Sequence, residues 1–231
     1  MLRLYPVWRP TGNRSAGSVD ELRLAVVSVG EVQARSRRRR RTPEVAQAEI
    51  VTAAEALLRE RPFRELTVDE VMRRTDLSRP SFYVYFRDRH DLILRVVEQI
   101  RAELRRMSQR WYTGAGDGPA LAREAMEGIV EVFAEHGPVL RALADAAADD
   151  REVERVYSGL VQTFVDVTIR HIEAETAAGR MLELQPNETA RALVWMMERY
   201  LTQAFGRRTT TPREVVVETL TTIWTHVLYG P

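Results

Sequence analysis

Between Thr67 and Asp91 the chain reads TVDEVMRRTDLSRPSFYVYFRDRHD, and its polar groups are of the kinds that read a nucleic-acid duplex. Arg79 can donate two parallel hydrogen bonds to the O6 and N7 edge of guanine, Ser81 suits several base edges, and Pro80 can pack on a thymine methyl. Tyr83, Tyr85, Arg89 and the helix N-terminus at Thr67 are phosphate donors, which set register without reading sequence. Tyr83 can equally serve as packing between helices, and Phe86 is assigned to packing. Catalytic chemistry finds no comparable constellation. His90, His136, His171 and His226 are isolated and lack ligand spacing such as HExxH, and neither a glycine-rich phosphate loop nor a GxSxG elbow is present. The absence of cysteine removes disulfides, thiolate metal sites and thiol nucleophiles. No catalytic residue, metal or cofactor is expected.

Two short helices must position these groups. Thr67 is a good N-cap, with Glu70 three residues on where a capping box needs its acid. Val68, Val71 and Met72 give that helix one apolar face. It runs out around Thr75-Asp76-Leu77, and Ser78 starts the next helix. Pro80 falls in the first turn, where a missing N–H leaves no helical bond unmade. Two capped helices around a three-residue turn make a helix-turn-helix, whose second helix can enter a major groove. Upstream, Thr42-Pro43 starts a helix with a core stripe of Ile50, Ala53, Ala54, Leu57 and Leu58, closed by Arg61-Pro62-Phe63. Downstream, Asp88 to about Arg110 reads as a long helix with Leu92, Val96 and Ile100 on one face.

Charge follows the same division. The 231 residues carry a formal net charge of +1, and every basic residue is arginine. Residues 35–110 hold 19 Arg against 12 acids, whereas residues 111–231 hold 11 Arg against 18 acids. A mosaic of solvated faces would give some imbalance. A basic half that attracts phosphate and an acidic half that avoids it suits a DNA binder. Arg35 to Arg41, including Arg39, Arg40 and Arg41, forms a basic run directly before the first helix. It is either a solvated polyanion-binding tail or a minor-groove and phosphate arm, and its position favours the arm. Residues 1–36 read as a flexible, basic-ended extension, or as translation from an upstream start.

Beyond the Thr113–Gly118 loop the pattern is helical throughout: Pro119 to His136, Gly137 to Ala148, about Asp150 to Ala178, Pro186 to Phe205, and about 212 to 229. Thr211-Pro212-Arg213-Glu214 reads as a second capping box with Pro at the first helical position. With no strand-like alternation and no repeat, the fold should be all-α with about nine helices. No apolar run approaches the roughly 20 residues that span a bilayer. A cytoplasmic protein without membrane contact is expected.

The order Thr67-Val68-Asp69-Glu70-Val71, Leu77-Ser78, Ser81-Phe82-Tyr83-Val84-Tyr85-Phe86, Arg89 and Leu92 resembles the DNA-binding domain of TetR-family repressors. Glu198-Arg199 within WMMERYLTQAF, and Ile223-Trp224 with Leu228-Tyr229-Gly230, resemble the EthR branch of that family. The resemblance covers about residues 45–231. It implies a DNA-binding domain over 37–90 and an effector-binding and dimerisation domain over 91–231. It also implies a homodimer built on the last two helices, a double-stranded operator as partner, and a ligand tunnel in each C-terminal domain.

Spacing offers candidate walls for such a tunnel. Tyr157, Val161, Phe164 and Thr168 share one helix face, and Val194, Met197, Glu198 and Leu201 share another. Either stripe could equally be ordinary core. The resemblance adds Ile129, Phe133 and Trp224 as further walls. Glu198 is the anomaly, since a carboxylate on an apolar face is costly unless paired. It is either a salt-bridge partner of an arginine such as Arg170 or the partner chain's Arg199, or a polar anchor in the tunnel. EthR-type relatives carry ligand-bonding asparagines where Val194 and Met197 stand, and an aromatic wall where His136 stands. Losing the amides implies a small, apolar effector with fewer hydrogen bonds. A ligand-independent architectural DNA binder is the alternative.

Overall fold

Helix follows helix through the computed structural model, which describes residues 42–114, 116–207 and 211–230. Eight α-helices and one 3-10 turn are present among the described residues, with no strand. The arginines expected to form the arm, Arg39, Arg40 and Arg41, and the expected extension over 1–36 lie outside the described residues.

Helix α1 spans Pro43–Glu60, and its expected core stripe of Ile50, Ala53, Ala54, Leu57 and Leu58 is buried. The 3-10 turn Phe63–Glu65 seats Phe63 in the core. Helices α2 (Val68–Arg73) and α3 (Arg79–Tyr85) form the helix-turn-helix. Helix α4 (Arg89–Thr113) then carries the chain out of the reader without a break, with Leu92, Val96 and Ile100 fully buried. The remaining helices are α5 (Gly118–Ala146), α6 (Arg151–Ala177), α7 (Pro186–Phe205) and α8 (Arg213–Tyr229). Helix α5 is central, packing against α4 on one side and against α7 and α8 on another, while α6 lies against α7 and α4.

The helix count differs from the expected nine at one place. The break anticipated at Gly137-Pro138 does not occur, and α5 runs through both residues. Pro138 forfeits one backbone hydrogen bond, yet Phe133, His136, Val139, Leu140 and Leu143 are all buried around it. That burial keeps the helix continuous. Gly137 is required by packing: a Cβ there would lie 2.5 Å from the carbonyl oxygen of Phe205 at the end of α7. The start of α8 also shifts by one residue. Pro212 is the cap residue itself, so Thr211 is not the N-cap of a capping box.

Candidate nucleic-acid interface and effector core

The reader is built from its caps upward. The Thr67 hydroxyl accepts the Glu70 backbone N–H at 3.2 Å and donates to the Glu70 carboxylate at 3.1 Å. Glu70 is held in turn by Arg61 at 2.6 Å. Thr75 closes the turn by donating to the Met72 carbonyl and accepting from Leu77 N. Glu49 of α1 accepts the Asp76 backbone N–H at 2.8 Å, which fastens the turn to the first helix. Ser78 caps α3 by position, but its hydroxyl pairs with Ser81 at 2.9 Å instead of a backbone N–H.

Helix α3 has two distinct faces. Phe82 and Phe86 are buried, with ring centres 5.4 Å apart and planes tilted by 40°. The packing role expected for Phe86 is therefore what the fold contains. Ser78, Arg79, Pro80, Tyr83 and Val84 are exposed, and Ser81 and Tyr85 are half-buried. Val84, 75% exposed, was not singled out from sequence, although it lies one helical turn beyond Pro80 on the same face. Asp69 was also missed. It accepts from Arg79 Nε at 2.5 Å across the two reader helices, while the Arg79 guanidinium sits 5.6 Å from the centre of the Tyr83 ring. Arg89 takes a different position from the other expected phosphate donors. Its guanidinium lies 4.6 Å over the Phe63 ring, with the Arg64 and Leu66 carbonyls at 3.5 Å.

Behind the reader, α4 is tied to the rest by His90 and Asp150. Asp88 caps α4 by accepting from His90 N and Asp91 N, and Asp150 caps α6 by accepting from Glu152 N and Val153 N. His90 Nε2 lies 2.9 Å from Asp150 Oδ2, so one acid serves a helix end and a long-range contact. That contact holds the Asp150 carboxyl below the usual range, while backbone N–H groups do the same for Asp88.

The expected tunnel walls lie in the core of the C-terminal half. Ile129, Phe133, Tyr157, Val161, Thr168, Val194, Met197, Glu198, Leu201 and Trp224 are buried, and Phe164 is half-buried. Phe164 also lines a crevice of about 500 Å³ between α4 and α6, with Arg105, Gln109, Tyr112 and Arg170 around it. None of the four was expected to line a crevice, because nothing in local spacing marks which faces of α4 and α6 diverge.

Three polar features stand inside this apolar core. The Tyr157 phenol donates to Glu198 Oε1, and the Thr202 hydroxyl donates to the same oxygen at 2.8 Å. Among the described residues no arginine pairs with Glu198, so the Arg170 bridge, one of the alternatives for it, is absent from the chain's own contacts. Burial, and then the Glu198 charge, push the Tyr157 phenol far above its ordinary pKa. Tyr112 donates or accepts at Thr168 at 3.0 Å and is pushed up to about 12 by burial. Finally, the Trp224 indole N–H and the Thr221 hydroxyl are buried without a hydrogen-bond partner among the described residues. A buried donor left unpaired costs about 1–3 kcal/mol, which an accepting ligand atom would recover.

No helix among the described residues is long and apolar enough to cross a membrane. Exposed apolar side chains instead gather on the last two helices: Trp195, Met196 and Tyr200 on α7, and Val215 and Val227 on α8.

Comparison with known proteins agrees with this division. Residues 50–96 match the family model of bacterial regulatory proteins of the tetR family, and residues 122–230 match that of the transcriptional regulator EthR C-terminal domain. The HTH-type transcriptional regulator EthR of Mycobacterium tuberculosis (strain ATCC 25618 / H37Rv) is 32% identical over 187 residues, covering 78% of this chain and 86% of that protein. The regulator of the same name from Mycolicibacterium smegmatis is 28% identical over 190 residues, covering 80% and 86%. Among solved structures, a transcriptional regulator from Rhodococcus sp. Rha1 superposes with a TM-score of 0.66 at 15% identity, over 78% of this chain and 95% of its own. The regulatory protein TetR from Rhodobacter sphaeroides gives 0.62 at 21% identity, over 77% and 97%.

Proposed function

The chain belongs to the EthR branch of the TetR family of transcriptional regulators, which are not enzymes, and from that premise we propose that it is an effector-released repressor. It binds a palindromic operator as a homodimer and leaves it when a small lipophilic molecule enters the C-terminal half. The observation that carries this is the two-faced α3: Phe82 and Phe86 anchor one side while Ser78, Arg79, Pro80, Tyr83 and Val84 are exposed on the other. A rigidly seated helix with an exposed row of this chemistry suits insertion into a major groove.

Arg79 and Ser81 contact base edges, Pro80 and Val84 supply apolar contacts to thymine methyls, and Thr67, Ser78, Tyr83 and Tyr85 hold phosphates. Arg89 joins them on leaving Phe63. Arg39, Arg40 and Arg41 follow the backbone into the neighbouring minor groove. The apolar residues exposed on α7 and α8 support a dimer through those helices, which sets two copies of α3 one duplex turn apart, about 34–36 Å. The buried, unpaired Trp224 N–H and the Glu198 cluster support an effector site in the core that includes the expected walls. Effector acts by binding the DNA-incompetent arrangement more tightly, with α4 carrying the change to the reader. A coupling of about 1–3 kcal/mol is typical of such switches.

Sequencing of random genomic fragments retained by the purified protein tests this. Recovery of one or a few palindromes, by a species of twice the chain mass, is the expected result. Retention without a preferred sequence would instead identify an architectural binder.

A further inference from the structure

His136 is 5% exposed and stands between two carboxylates. Its Nε2 is 3.2 Å from Glu103 Oε2 on α4, and its Nδ1 is 3.8 Å from Glu55 Oε2 on α1. Nδ1 is buried with no hydrogen-bond partner among the described residues. A third acid joins the group: one ligand atom each of Glu103, Glu135 and His136 lies within 4.8 Å of the other two. A neutral imidazole carries one N–H and one lone pair. If Nδ1 keeps the proton toward Glu55, the Nε2 lone pair faces the Glu103 carboxylate at 3.2 Å, and a cation between them satisfies both.

We propose that Glu103, Glu135 and His136 bind a divalent transition-metal cation of the zinc class, with Glu55 orienting the histidine from behind. Three observations converge. Metal–ligand lengths of about 2.0–2.2 Å place neighbouring tetrahedral ligands roughly 3.3 Å apart, close to the Nε2 to Glu103 separation. The metal-bound histidine of such sites presents its other N–H to a carboxylate, and Glu55 stands on that side, 3.8 Å from Nδ1 and one small shift from hydrogen-bond reach. Acids also outnumber cationic side chains around Glu55 and His136: Glu103 from α4 and Glu135 from α5 join Glu55, with Arg59 of α1 as the guanidinium among them. Arg59 itself donates to the Glu135 backbone carbonyl, which leaves the Glu135 carboxylate available. Water completes the fourth position. The bound ion ties α4 to α5 and, through Glu55, the first helix of the reader to both. The site stands independently of the operator and effector assignments.

The test is titration of Zn2+ into tag-free, chelator-stripped full-length protein by calorimetry, with Co2+ as a visible-spectrum probe of four-coordination. The expected result is one ion per chain, a tetrahedral Co2+ band, and a rise in melting midpoint with Zn2+. His136→Gln and Glu103→Gln should each weaken binding by about 10-fold or more. Glu135→Gln, at an exposed position whose substitution leaves the core intact, should weaken it too. Failure of the wild-type protein to bind, or equal affinity in the folded Glu135→Gln protein, overturns the proposal.

Discussion

Arg79 at the start of α3 donates to Asp69 of α2 at 2.5 Å, so the side chain best suited to read guanine is held by an acid of its own reader. Both side chains are more than half exposed, at 59% and 61%, and such surface pairs contribute about 0–1 kcal/mol. The pair is thus weak enough to open at a base edge. Until it opens, Asp69 lowers the charge that non-specific DNA encounters.

Asp69→Asn should therefore tighten binding to any duplex several-fold while changing stability by less than about 1 kcal/mol. Fluorescence anisotropy at fixed salt measures the first and denaturant unfolding the second. Weaker binding would show instead that Asp69 holds Arg79 in its reading pose.

Gly137→Ala should destabilise by about 1–3 kcal/mol, because the new methyl meets the Phe205 carbonyl oxygen at 2.5 Å and Phe205 Cβ at 2.8 Å. That outweighs the helix-propensity gain of roughly 1 kcal/mol. Gly159→Ala is the control: none of the described residues lies within 4 Å of the added Cβ, and it should stabilise by about 0.5–1 kcal/mol. Chemical denaturation of the two variants should move in opposite directions.

The sequence made α1 to α4 legible because their signals are local. Thr67, Glu70 and Asp88 cap within three residues, and the stripes of α1 and α4 repeat at helical spacing. At Gly137-Pro138 the same local rules misled, since α5 continues through them where its own side chains are buried and Gly137 packs against Phe205 at the end of α7. Glu198 was recognisable as an anomaly, and Thr202 lies one helical turn on. Its other partner, Tyr157, sits 41 positions away on α6 and could be supplied only by the fold. The α4–α6 crevice and the Asp69–Arg79 pair were hidden for the same reason, because both depend on how helices diverge or cross.

Tyr157→Phe should destabilise by about 1.5–3 kcal/mol, since it leaves a buried carboxylate with Thr202 as its remaining donor. Tyr157→Phe combined with Glu198→Leu removes both ends and should recover much of that loss. Thermal unfolding of the single and double variants decides it. A double variant as unstable as the single would mean that the carboxylate has another role in the core.

Acid should loosen the joint between α4 and α6. The contact with His90 depresses the folded-state pKa of Asp150, and backbone N–H groups, chiefly that of Asp91, depress that of Asp88. Within the affected window the unfolded chain binds more protons, so stability rises with pH. The contribution is complete above the unfolded carboxylate value of about 3.9 and is lost as pH falls through the lower folded value. Asp150→Asn keeps a capping oxygen without the titration, so its melting midpoint should fall less steeply than wild type below about pH 4. Parallel slopes would remove Asp150 from the acid response.

The most direct test of sequence reading through α3 is the affinity of wild type and Arg79→Ala for operator and for random duplex of equal length, at one salt concentration. The account predicts a loss of roughly 1–3 kcal/mol on operator and much less on random DNA. Equal losses on both would make Arg79 a phosphate contact and contradict it.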